Sequence, residues 1–396
     1  MSNPPPPCAP PPCDRYARGT PLLEVRDLRV NFKVFGGELR VLDGVNLVVH
    51  AGEKVGLVGE SGCGKTTTMK AILRILPMPP ARIVGGQVLF HGKDVSGLRD
   101  EELRHLRGRG MSMIFQDPTA ALNPVFTVGQ QLGDVIKYSR ITALPPPPCD
   151  NRGLPQRQGT LAGGDTGSAA HASPVPLATR LRRQGTTAAT RGDYRRQAAL
   201  NCLREVSLAD PERLLDSYPI QLSGGMRQRV CIAMALATQP ELLIADEPGT
   251  SLDVTIQDQI LRLLRNLVTE KNTSVILITH TLGVVREVTD RVYVMYAGAM
   301  VESAPTKALF ANPMFPYTRG LMQSVPRLSG GGVAEGIPGR IPNYLNPPTG
   351  CRFHPRCPHV MDICRQEKPP VCTVGEEHYV ACYLYGRGAD RGLEIG

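Results

Sequence analysis

One ten-residue stretch limits the folds open to this chain more than any other. Gly59–Thr68 reads GESGCGKTTT and follows directly on the apolar run KVGLV. Gly59-x4-Gly64-Lys65-Thr66 has the spacing of a P-loop, in which a strand runs through a glycine-rich turn into a helix. The glycines let successive backbone N–H groups turn inward around a phosphate, and the helix start adds partial positive charge. Lys65 is placed to reach the β- and γ-phosphates of a nucleoside triphosphate, and the Thr66 hydroxyl to hold Mg²⁺. An ordinary glycine turn has no need of a strand, a lysine and a threonine in register. The expected cradle is Gly59, Glu60, Ser61, Gly62, Cys63, Gly64, Lys65, Thr66 and Thr67, with Cys63 a small residue between glycines.

The surrounding pattern predicts an α/β fold. LLEVRDLRVNF and VLDGVNLVV alternate apolar and polar residues, as half-buried antiparallel strands do. KVGLVG, MSMIFQ, ELLIADE and SVILITH are short, nearly continuous apolar runs, suited to strands covered on both faces of a parallel sheet. KTTTMKAILRIL and IQDQILRLLRNLVTE lie between them and read as crossover helices. The apolar run of ELLIADEP ends in Asp246, placed to bind Mg²⁺, and Glu247, placed to polarise the attacking water as general base.

Composition narrows the partners. The chain has 396 residues, 41% hydrophobic and 20% charged, as soluble globular proteins do. Its net charge of +9 suits an acidic partner, but arginines crowd Arg180–Arg196, a stretch read as disordered. Absence of tryptophan weakens an RNA-stacking reading. The N-terminus has no apolar signal core, and no run reaches the roughly 18 apolar residues of a membrane span. Residues 1–20 are expected to be a disordered Pro-rich tail, and about Ser139 to Tyr194 a disordered insertion. RRQAALNCLREVSL then reads as an amphipathic helix, and after about Ala311 Pro, Cys and Arg dominate.

QLSGGMRQRVCIAMALA at Gln221–Ala237 separates the classes of P-loop protein. Ser223, Gly224 and Gly225 open a helix and form a second anion site. Lys65 already takes one γ-phosphate, so a second such helix start points to sharing between two chains. Here the chain resembles the ATP-binding subunit of an ABC transporter: LSGGMRQR is similar to that family's signature motif. The resemblance covers about residues 22–310, insertion excluded. It implies a Q-loop at Gln116 touching Mg²⁺ and the attacking water, and a D-loop at Ser251, Leu252 and Asp253. It also implies a switch histidine at His280, and adenine stacking on Phe32 with Phe35 as runner-up. Gly249 stands where the family usually has threonine, and Thr281 where this branch often has aspartate.

The expected architecture is therefore a P-loop NTPase of ABC type. It has a RecA-like parallel core, an antiparallel β subdomain, and a helical subdomain over about 117–225. The nucleotide-binding domain runs over 21–310 and a small irregular Cys-rich module over 311–396. NPMFPYTRGL followed by GCRFHPRCPHVMDIC resembles the C-terminal extension of oligopeptide, dipeptide and nickel importer ATPases. Cys351, Cys357, Cys364 and Cys382 leave gaps of five, six and seventeen residues, wider than zinc pairs favour. Four such thiolates suit a [4Fe–4S] cluster, as the resemblance also implies; structural zinc and unligated thiols remain alternatives. Cys372 interrupts the last gap, and His354 and His359 are possible zinc ligands, although His354 fits a loop-shaping role better.

By resemblance, two such domains pair head to tail and sandwich ATP. The implied partners are two transmembrane permease subunits, a second ABC ATPase (self or paralogue) and, indirectly, an extracytoplasmic peptide-binding protein, without nucleic acid. The implied location is peripheral, on the cytoplasmic face of the inner (plasma) membrane. The competing reading is a soluble ABC-type ATPase acting on nucleic acid or ribosomes. Such proteins usually carry two cassettes or a long coiled coil; this chain has one P-loop, one signature and no heptad run.

Overall fold

The computed structural model describes residues 21–141, 188–250, 252–324 and 336–386. The expected Pro-rich tail and residues 142–187 of the expected insertion lie outside them. The two ends of that stretch are helical: Val128–Ile141 runs in and Ala188–Glu205 runs out.

β1 (Pro21–Val34) and β2 (Gly37–His50) form the antiparallel pair that their alternation predicts. β3 (Lys54–Val58) follows and leads into the phosphate loop. β4 (Ala81–Phe90) and β5 (Lys93–Asp94) complete an antiparallel sheet in the order β2-β1-β4-β5. The second sheet contains β6 (Met111–Ile114), β7 (Leu242–Asp246), β8 (Ser274–Ile278), β9 (Arg291–Tyr296) and β10 (Ala299–Pro305). It also takes in β11 (Cys372–Gly375) and β12 (His378–Val380), in the order β11-β12-β10-β9-β3-β8-β7-β6. The segment from β9 to β6 is parallel. Its apolar runs are the four read from the sequence plus RVYVMY of β9, which the sequence reading passed over.

Burial on both faces explains the unbroken runs. Leu242 and Ile244 of β7, with Ile276 and Ile278 of β8, enter a core shared with the antiparallel sheet and the helix Lys65–Ile72. Leu243, Ala245, Val275 and Leu277 point the other way, into a core built by the helices Gly224–Leu236 and Val254–Glu270 and the helical layer beyond. Alternate side chains of one strand thus serve two cores. Helix Val254–Glu270 buries Ile260, Leu261, Leu264, Leu267 and Val268, one stripe at helical spacing.

Two expectations change. KTTTMKAILRIL is helical only to Ile72. Arg74 takes φ +52°, and the N–H groups of Arg74 and Ile75 donate to the carbonyls of Ala71 and Lys70. This is a Schellman ending, and it satisfies carbonyls that a longer helix would have used. The C-terminal module is also less irregular than its composition predicts. It contributes the helix Pro316–Gln323 and a β11–β12 hairpin that extends the main sheet through β10, with Glu302 opposite Val380. A third core joins Val292, Val294 and Tyr296 to Phe315, Tyr317, Phe353 and Val380. The hairpin covers a sheet edge that would otherwise expose unpaired backbone groups.

Candidate active site

At the end of β3 the chain enters the glycine-rich loop. Gly62 and Gly64 take φ +82° and +107°, the left-handed values that glycine adopts without steric cost. Lys65 opens the following helix and is buried. Its Nζ donates to the carbonyls of Gly59 (2.8 Å) and Glu60 (3.0 Å), which fold the ammonium back over the loop. Thr68 locks the helix start by donating its hydroxyl to the Gly64 carbonyl at 2.9 Å.

The end of β7 brings Asp246 and Glu247 beside this loop. Thr66 Oγ1 donates to Asp246 Oδ1 at 3.1 Å. Burial pushes the Asp246 carboxyl above the usual carboxylate range, opposed by the Thr66 hydrogen bond and the charge of Lys65. A desolvated carboxylate beside a hydroxyl is a donor set suited to a hard divalent cation, whose charge would offset that desolvation.

Glu247 is held in left-handed backbone, φ +46°, and its N–H donates to the Ile278 carbonyl of β8. Three side chains converge on its Oε2: Gln116 Nε2 donates at 3.1 Å, Thr250 Oγ1 donates at 3.0 Å, and His280 Nδ1 lies at 3.6 Å. Gln116 follows β6 and His280 follows β8, so the carboxyl ends of three neighbouring parallel strands meet at one oxygen. Binding crevices of open parallel sheets form at these strand ends. The Glu247 side chain is only 10% exposed whereas that of His280 is 53% exposed, so the histidine faces the opening. Thr250 was passed over in the sequence; its only signal is its place three residues after Glu247.

Other candidates lie apart from this centre. Ser223 caps the helix Gly224–Leu236, its Oγ accepting the Met226 N–H at 3.3 Å. That helix packs on the face of the sheet opposite the Lys65 helix, and Ser223 and Gly224 are exposed. Asp253 begins the helix Val254–Glu270 and is exposed. Phe32 is half-buried on β1, packed on the first core, and paired with Leu39 and Ala81; Phe35 at the turn is fully exposed. At Gly249 a Cβ would stand 2.8 Å from Gln257 Cγ, so glycine suits this close packing.

Cys351, Cys357, Cys364 and Cys382 line one hollow in the C-terminal module, together with His354, His359 and Phe353. The Cys351 N–H donates to the Cys364 carbonyl at 2.8 Å, which ties the two segments. Burial pushes the Cys351 thiol up to about 11 and the Cys382 thiol up to about 12. A cationic group among them would favour the thiolates that burial disfavours. Cys372 is buried on β11, outside the residues lining this hollow. His354 Nδ1 pairs with the Cys351 carbonyl at 3.0 Å, consistent with loop shaping. Among the described residues, no three His, Cys, Asp or Glu side chains are grouped so as to hold a single metal ion.

The family described as ABC transporter matches residues 42–250, and the oligopeptide/dipeptide transporter C-terminal region matches residues 301–364. A probable peptide ABC transporter ATP-binding protein of Sinorhizobium fredii is 43% identical over 368 residues, 91% of this chain and 94% of that protein. The oligopeptide transport ATP-binding protein OppD of Bacillus subtilis is 40% identical over 370 residues, 93% of this chain and 90% of its own length. The solved dimeric structure of MJ0796, a bacterial ABC transporter cassette, superposes with a TM-score of 0.52 at 25% identity. It covers 72% of this chain and 98% of that one.

Proposed function

This chain belongs to the ABC transporter family, as an ATP-binding subunit with the C-terminal region of oligopeptide and dipeptide transporters, and from that premise we propose how its side chains power peptide import. The convergence of Gln116, Thr250 and His280 on one oxygen of Glu247 carries the reading. The loop Gly59–Thr67 and Lys65 bind the triphosphate, and Phe32 stacks on adenine. Thr66 and Asp246 would hold Mg²⁺, with Gln116 nearby; the ion neutralises phosphate charge when bound. Glu247 accepts a proton from water as the water oxygen bonds to the γ-phosphorus, and the bond to the β–γ bridging oxygen breaks. Gln116 and Thr250 fix the carboxylate for this, and His280 faces the γ-phosphate.

Ser223, Gly224 and Gly225 of a second ATPase subunit would close over the nucleotide, and Asp253 would cross the same interface. The exposed, capped helix start supports this, because it leaves N–H groups open to an anion. ATP would then bind the closed pair more tightly than the open one and shift the population toward closure, moving two permease subunits. Among the described residues no helix is long and apolar enough to cross a membrane, which fits peripheral attachment through those subunits. The transported peptide would arrive through an extracytoplasmic binding protein. Isolation of the intact assembly from its native membrane is expected to yield two multi-span membrane proteins with this chain. Stable nucleic-acid binding in their place would favour the competing ATPase class, which the relatives do not favour.

Cys351, Cys357, Cys364 and Cys382 would hold a [4Fe–4S] cluster. Their shared hollow supports this, and the cluster would staple a module with little core of its own. Protein purified without oxygen is expected to absorb in the visible range and to contain about four irons per chain. Zinc without iron, or no metal at all, would overturn this reading.

A further inference from the structure

The phosphate loop is gripped from outside by the C-terminal module. Arg356 Nη1 donates to Glu60 Oε2 at 2.8 Å and Nη2 donates to Oε1 at 3.0 Å, a two-pronged ion pair. The Arg356 side chain is only 6% exposed. It also donates to the carbonyls of Ile337 (3.0 Å) and Pro338 (2.8 Å) and to the Tyr296 hydroxyl (3.4 Å), which fix the fork from behind. The Tyr317 hydroxyl accepts the Glu60 N–H at 2.7 Å, and the Tyr344 hydroxyl donates to the Gly62 carbonyl at 2.8 Å. These three side chains come from 257 to 296 positions away in the chain.

The charge arrangement poses a problem that this grip answers. Glu60 places a carboxylate in a loop that must accept a polyanion, and like charges held close together repel. A guanidinium bonded to both carboxylate oxygens cancels that charge, so that it does not oppose the loop's other backbone N–H groups acting on the phosphates. We propose that Arg356 is a positioning residue for ATP: it neutralises Glu60 and, with Tyr317 and Tyr344, holds the phosphate loop in its binding shape. The proposal rests on the nucleotide-site reading above. The fork is carried by the short turn His354–Arg356, which lies between Cys351 and Cys357, so the fold of the cysteine module sets its reach.

Titration of the full chain with MgATP in a calorimeter tests this. R356A is expected to weaken ATP binding about tenfold. E60Q, which leaves the Arg356 charge uncompensated beside the loop, is expected to bind ATP severalfold more tightly than the native protein. The double variant E60Q/R356A should return to within about threefold of native affinity, a rescue that a merely structural arginine would not show. In the assembled transporter the R356A effect should fall on the KM for ATP rather than on kcat. Native affinity in R356A, or a double variant as weak as R356A alone, would overturn the proposal. If R356A does not fold, R356K, which keeps the charge but loses the fork, should show a smaller loss that E60Q again restores; absence of that loss or of its rescue counts against the proposal equally. K65A serves as the separate control. Its binding ATP normally would refute the nucleotide site itself, independently of the arginine.

Discussion

Replacing Glu247 with glutamine is expected to lower steady ATP turnover by about 10²- to 10⁴-fold while ATP still binds. The substitution keeps the size and the left-handed backbone position of the side chain. Its remaining carbonyl oxygen can still accept from Gln116 and Thr250, so the surrounding frame survives. What is lost is the ability to take a proton from water. Single-turnover phosphate release and nucleotide binding, measured on the same preparation, separate the two effects. Turnover equal to the native protein's would remove Glu247 from the mechanism and with it the proposed reaction.

Gly59→Ala should be the most damaging single-methyl change in the phosphate loop. A Cβ at Gly59 would stand 2.2 Å from the Met295 carbonyl oxygen and 2.8 Å from Cys63 Sγ. The first neighbour is backbone of β9, paired into the sheet, and has no room to yield. A stability loss of at least about 3 kcal/mol is expected, with loss of ATP binding as the loop moves away. Gly62→Ala is the matched comparison. It meets nothing within 4 Å and carries only the penalty of its φ of +82°, about 1 kcal/mol. Denaturant unfolding of the two variants should therefore differ clearly, and equal losses would contradict the packing argument.

Much of the site is legible because its parts are local. The glycines, Lys65 and Thr66 sit within eight residues, and Asp246 with Glu247 ends an apolar run that reads as a strand. Gln116 and His280 are legible only through the family resemblance, in which their order and spacing carry the assignment, because a polar residue at a strand end is by itself common. Thr250 was missed because its role depends on Glu247 taking left-handed backbone, which brings a hydroxyl three residues on against the carboxylate. The end of the helix at Ile72 was missed for a similar reason: KAILRIL has helical periodicity, and the Schellman turn at Arg74 overrides it.

The sequence by itself determined the α/β class, the phosphate loop, the two carboxylates after β7 and the four spaced cysteines. Each depends on short-range spacing or on apolar period, which the chain carries wherever it folds. Only the tertiary structure decided that the C-terminal module continues the main sheet and closes on the phosphate loop. Cys351, Cys357, Cys364 and Cys382 face one hollow, and Arg356 meets Glu60 across 296 positions, because the β11–β12 hairpin docks on β10. A contact of that span leaves no periodic trace in the sequence; burial and charge pairing select it only once the sheet edge exists.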